Sequence, residues 1–135
     1  MKKLFLLLLF VLAAVAGCGN GHVSGSGTVK YSTGEPVPNG TIFFSTPQFN
    51  YTGNITNGVF ELGGLKQGDG LPHGTYNVHL IGSQITEGTE EIPLFDAKYY
   101  NPETSGIVIE VERGKKNQFE IIVEKPTQKE QKTIE

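Results

Sequence analysis

The strongest constraint on this chain is a two-residue alternation of apolar and polar side chains, broken into short runs by glycine, proline and asparagine. Ile107, Ile109 and Val111 line one face of such a run, and Phe119, Ile121 and Val123 line another, while Glu110, Glu112, Glu120 and Glu124 point the opposite way. A period of two matches a strand, whose successive side chains leave opposite faces. No stretch after Ala16 repeats apolar residues at helical spacing, and the 18 glycines and seven prolines supply turns. The pattern therefore specifies an all-β chain.

Seven strands are expected, over 27–31, 41–45, 51–56, 59–62, 75–81, 107–112 and 118–124. Val29 faces inward on the first. Ile42 and Phe44 face inward on the second, although Phe43 between them leaves that facing open. Asn57-Gly58 joins two of the strands and is the sequence of a type I′ hairpin turn. Phe60 and Leu62 share one face, with Glu61 on the other. Tyr76, Val78 and Leu80 face one way, and Thr75, Asn77 and His79 the other. The last two strands are expected to pair as a hairpin around Arg113-Gly114-Lys115. The expected architecture is a seven-stranded antiparallel β-sandwich of Greek-key, immunoglobulin-like type. The long irregular stretch 83–105 carries Pro93, Leu94, Phe95, Tyr99 and Tyr100. It is too apolar for a free linker and is expected to pack on the sandwich. The polar tail 125–135 is expected to be disordered.

The N-terminus specifies a destination. Lys2 and Lys3 precede nine apolar residues, Leu4 to Leu12, and Val15-Ala16-Gly17-Cys18 follows. A charged start, a short apolar core and a small-residue cleavage site make a secretory signal. The apolar stretch Leu4 to Ala16 has 13 residues, against the roughly 20 that a spanning helix needs. The run ending in cysteine resembles the lipobox of bacterial lipoproteins. That resemblance implies cleavage between Gly17 and Cys18 and lipidation of the Cys18 sulfur. The competing reading is plain secretion, with cleavage after Ala16, which would leave one free thiol. Cys18 is the only cysteine, so it has no partner for a disulfide or a Cys-based zinc site. The expected order is a signal peptide at 1–17, lipidated Cys18 with a Gly-rich tether over 18–25, a sandwich domain at 26–124 and the tail.

Without the signal, nine basic residues remain against fourteen acidic. An acidic domain has no electrostatic attraction for nucleic acid, so no nucleic-acid partner is expected. The expected setting is a membrane-anchored envelope protein outside the cytoplasm, on the outer membrane if the cell has two. Its expected partners are the membrane, through Cys18, and an envelope protein or glycan.

The order of motifs resembles a known family. Gly27-Thr28-Val29 is followed by Gly34-Glu35-Pro36-Val37, then Gly40-Thr41-Ile42-Phe43-Phe44, then Thr56-Asn57-Gly58-Val59-Phe60, then Pro72-His73-Gly74-Thr75-Tyr76-Asn77-Val78. This is similar to the carboxypeptidase regulatory-like, or transthyretin-like, β-sandwich. The segment Lys98-Tyr99-Tyr100-Asn101-Pro102 looks like the end of small bacterial lipoproteins built on that sandwich. The resemblance spans about residues 25 to 124 and implies a seven-stranded sandwich at a cell surface or in the envelope, usually an accessory or binding module; it does not by itself imply an enzyme.

Candidate chemistry is sparse. His73 and His79 have no third ligand at metal-site spacing, so no metal or other cofactor is expected. An enzyme reading, the alternative, requires one of these histidines within reach of an acid or a nucleophile in a pocket. The Tyr-Arg-Gly-Ser ending of transthyretin-fold hydrolases is replaced by Glu124-Lys125-Pro126. Asp69, Asp96, Glu87, Glu90 and Glu91 lie in expected loops but form no calcium-loop run. No catalytic residue is assigned. Tyr51, Tyr99 and Tyr100 are the candidate aromatic binding surface. Tyr76, Gly58 and Gly74 are assigned structural roles, with Tyr76 as a possible tyrosine corner.

Overall fold

In the computed structural model the described residues are 22–63, 70–85, 91–113 and 117–126. Gly17, Cys18, the signal segment and most of the tail lie outside them. The strands in chain order are β1 (His22–Val23), β2 (Gly25–Tyr31), β3 (Asn39–Ser45), β4 (Asn50–Thr56), β5 (Val59–Glu61), β6 (Leu71–Pro72), β7 (Gly74–Ile81), β8 (Ser83–Ile85), β9 (Glu91–Pro93), β10 (Ile107–Val111) and β11 (Asn117–Val123). A 3₁₀ helix, Ala97–Tyr100, lies between β9 and β10.

The seven strands expected from alternation all form, and they join in one sheet of order β10-β7-β3-β4-β5-β2-β11. The remaining strands form two small pairs, β1 with β6 and β8 with β9. Residues 22–25, expected in the tether, lie in or between β1 and β2.

Two expectations are corrected. The sheet is mixed, because β11 runs parallel to β2, pairing Phe119 with Gly27 and Ile121 with Val29. Among the described residues β10 and β11 also do not pair as the expected terminal hairpin. β10 pairs with β7, at the opposite end of the strand order from β11. Alternation gives both strands an inward face but does not choose their neighbours. The Asn117 side chain at the start of β11 bonds to the Glu112 backbone just after β10. Its Oδ1 accepts from the Glu112 amide at 3.0 Å, and its Nδ2 donates to the Glu112 carbonyl at 2.9 Å.

The sheet curls until its ends nearly meet. Phe44 on β3 and Phe119 on β11 are four strand steps apart, which on a flat sheet is about 19 Å. Their ring centroids are 5.4 Å apart. The enclosed core is built from the predicted inward residues Val29, Ile42, Phe44, Phe60, Leu62, Val78, Leu80, Val111, Ile121 and Val123. Phe43 is the outward neighbour, so the facing of β3 is settled by Ile42 and Phe44. Residues from the irregular stretch complete the core, with Leu94, Phe95 and Tyr99 buried.

Asn57 and Gly58 both have positive φ, 48° and 78°, the conformation that a type I′ turn requires. A Cβ on Gly58 would meet Pro36 at 2.8 Å and the Val29 carbonyl at 3.0 Å, so both the turn and the packing favour glycine. Gly74 opens β7 at φ 150°, a region that side chains disfavour.

The register gives the molecule two unlike ends. The chain enters at His22, beside Leu71 and Pro72, and Ser45, Asn50, Gly74, Val111 and Asn117 mark the same end of the large sheet. The far end carries Tyr31, Asn39, Ile81 and Val123, together with the 3₁₀ helix.

Candidate functional site

The residues proposed from the sequence do not converge on one site. Tyr51 is half-buried on β4 near the entry end. Its ring meets Tyr76 edge-on at 5.9 Å, His22 at 6.2 Å and Phe49 at 4.8 Å. Tyr99 and Tyr100 sit at the far end. Tyr99 is only 5% exposed, and its hydroxyl accepts from the Glu124 amide at 3.2 Å. Tyr100 is half-buried, with its hydroxyl directed at the Gly82 carbonyl 3.5 Å away. Tyr51, Tyr99 and Tyr100 therefore do not make a common platform. Tyr99 and Tyr100 instead help to seat 91–100 against the core, the packing that the apolar content of this stretch predicts.

Tyr76 is 3% exposed and donates to the Pro72 carbonyl, four residues upstream, at 2.6 Å. That is a corner bond, closing the bend between β6 and β7. Burial, with Tyr51 nearby, pushes its pKa up to about 12, so the phenol stays a neutral donor. Tyr31 makes a similar buried bond to the Leu94 carbonyl at 3.0 Å, and burial raises its pKa also. Sequence reasoning did not single out Tyr31. Its inward place on β2, two residues after Val29, was the available signal.

His73 is exposed in the turn before β7. His79, on the outer face of β7, is half-buried. It stacks flat on Phe43, with centroids 4.5 Å apart and planes 4° from parallel. This follows from register, since Phe43 and His79 are direct cross-strand partners. Its Nδ1 lies 3.3 Å from the Ser45 hydroxyl, on the diagonal neighbour. Burial lowers the His79 pKa, so the ring is a neutral base near pH 7. No carboxylate bonds to it among the described residues, and no three-member group of His, Cys, Asp or Glu able to hold a metal occurs among them.

An open groove of about 450 Å³ runs over the outer face of β5, β2 and β11. Its upward-facing side chains come in two cross-strand rows. Glu61, Ser26 and Gln118 form one, and Val59, Thr28 and Glu120 the other. The parallel placement of β11 creates the groove, because it sets Gln118 and Glu120 beside the hydroxyls of β2. The terminal-hairpin expectation would have put these residues elsewhere, so the site was not legible in advance. Within each row the outer members stand about 10 Å apart, two strand spacings. Two carboxylates, an amide, two hydroxyls and one exposed valine suit a polar, hydrogen-bonding ligand. Among the described residues, no helix is long and apolar enough to cross a membrane.

Comparison of the chain with protein-family models, with curated proteins and with solved structures finds no significant match.

Proposed function

We propose that this chain is a lipid-anchored protein of the cell envelope, a transthyretin-like sandwich that works as a non-enzymatic binding or accessory module. The observation that carries the binding role is the β5–β2–β11 groove. It displays hydrogen-bonding side chains in register on a rigid sheet face, and Val59 beside it is 55% exposed. The curled sheet with opposed inner faces is compatible with a sandwich, and Cys18 after a signal-like segment supplies the anchor. The partner is an envelope protein or glycan that presents hydroxyl, amide or cationic groups to Glu61 and Glu120. The test is photocrosslinking in intact envelopes, from a probe at Gln118 and from a control probe at the exposed Ile81 on β7. A discrete adduct from Gln118 alone, lost in Glu120→Lys, supports the reading. Equal labelling from both positions, or none, contradicts it.

The 3.3 Å contact between Ser45 and His79 favours a second reading, an enzyme of the same fold. A serine nucleophile needs a base that is itself oriented by a third group, and access for substrate. Ser45 is only 8% exposed, and Phe43 stacks on the base. Labelling of Ser45 by a fluorophosphonate, abolished in His79→Gln, would establish this reading in place of the first.

A further inference from the structure

We infer that the β3–β4 hairpin tip, residues 46–50 led by Phe49, is a membrane-docking surface that seats in the headgroup region beside the anchor. The inference rests on the lipid-anchor reading. The first described strand opens at His22, so four residue steps separate it from Cys18, at most about 14 Å of extended chain. From His22 a row of rings leads straight to the tip. His22 meets Tyr51 at 6.2 Å, and Tyr51 meets Phe49 at 4.8 Å. A chain held at Cys18 therefore keeps this tip within reach of the bilayer.

The tip has the composition for that place. Phe49 is 48% exposed, and its backbone is pinned rather than free. The Thr46 amide donates to the Phe49 carbonyl at 2.8 Å, and the Phe49 amide donates to the Thr46 hydroxyl at 3.1 Å. Residues 46–50 read Thr-Pro-Gln-Phe-Asn, so no charge must be desolvated as the tip enters. The ion pairs Lys98–Glu124 and Lys125–Glu35 lie at the opposite end, where they face water. Phe is among the residues that interfacial surfaces bury, about 5–10 Å into the boundary between headgroups and acyl chains. The other exposed aliphatics, Val59, Ile81, Val108 and Ile122, are dispersed along the strands and make no comparable tip.

The chain contains no tryptophan, so Phe49→Trp creates a single reporter, with Glu103→Trp as its far-end counterpart. Each protein, purified from the envelope of cells that express the full-length chain, is bound to vesicles of phosphatidylethanolamine and phosphatidylglycerol with brominated acyl chains, and binding is read separately by flotation. The expected result is flotation of both, with emission from Phe49→Trp quenched about two-fold or more, as for a ring at interfacial depth, and emission from Glu103→Trp unchanged. Flotation with neither reporter quenched, or both quenched equally, overturns the docking inference and leaves the anchor standing. A chain that does not float overturns both, and that signature identifies the anchor as the failed premise. Unchanged circular dichroism confirms that both variants fold.

Discussion

Tyr76 does two jobs with one side chain. Its ring fills the core against Phe44 and Tyr51, and its hydroxyl closes the β6–β7 bend at Pro72. The two contributions separate by mutation. Tyr76→Phe removes only the bond and should cost about 1 kcal/mol; Tyr76→Ala also removes the ring and should cost about 3–5 kcal/mol. Urea denaturation measures both, and equal losses would show that the ring contributes nothing. His79 makes a pH-dependent contribution. Burial lowers its pKa below the unfolded value of about 6.5, so between those two values the unfolded chain binds more protons. The stabilisation from the neutral ring is complete above about pH 6.5 and is lost as the pH falls through the folded value. The denaturation midpoint of the native chain should therefore drop more steeply on acidification than that of His79→Gln. Parallel pH profiles would remove His79 as the cause.

At the scale of elements, side-chain period and turn chemistry located the strands, and pairing was where they stopped. Val29, Ile42, Phe60, Val78 and Ile121 all face inward as their alternation requires, because one residue of slip would put each in water. Asn57-Gly58 announced its hairpin because only a few residue types tolerate positive φ twice in succession. β10 and β11 carry the same alternating signal, yet their partners are β7 and β2. Partner choice depends on contacts distant in sequence, such as Phe44 on Phe119, that no local pattern encodes. The candidate groove was hidden for the same reason, since its rows exist only once β11 lies beside β2. His79 was identifiable as outward-facing, but its contacts with Phe43 and Ser45 needed the β3–β7 register. The contact that ties the start of β11 to the end of β10 is testable. Asn117→Ala deletes both bonds to Glu112 at a buried site and should cost about 1–3 kcal/mol, whereas a loss near zero would mean that the strand ends close without it.

At the scale of the whole molecule, the strands share an axis whose two ends differ in chemistry. The entry end gathers His22, Tyr51 and Phe49, with Glu112 and Arg113 at its β10 side; the far end gathers the 3₁₀ helix and the ion pairs of Lys98 and Lys125. Those pairs are well exposed and screened by solvent, so they mark a solvated end more than they hold the fold. An anchor at Cys18 would turn this axis outward from the membrane and leave the β5–β2–β11 groove on the flank, open to envelope partners. Two acyl chains suffice for stable attachment, and the rest of the account depends on that attachment. The most direct test is mass spectrometry of the N-terminal peptide of the protein purified from the envelope. The account predicts a mature chain that begins at Cys18 and carries lipid on its sulfur. A chain that begins at Gly17, or at an unmodified Cys18, would contradict it.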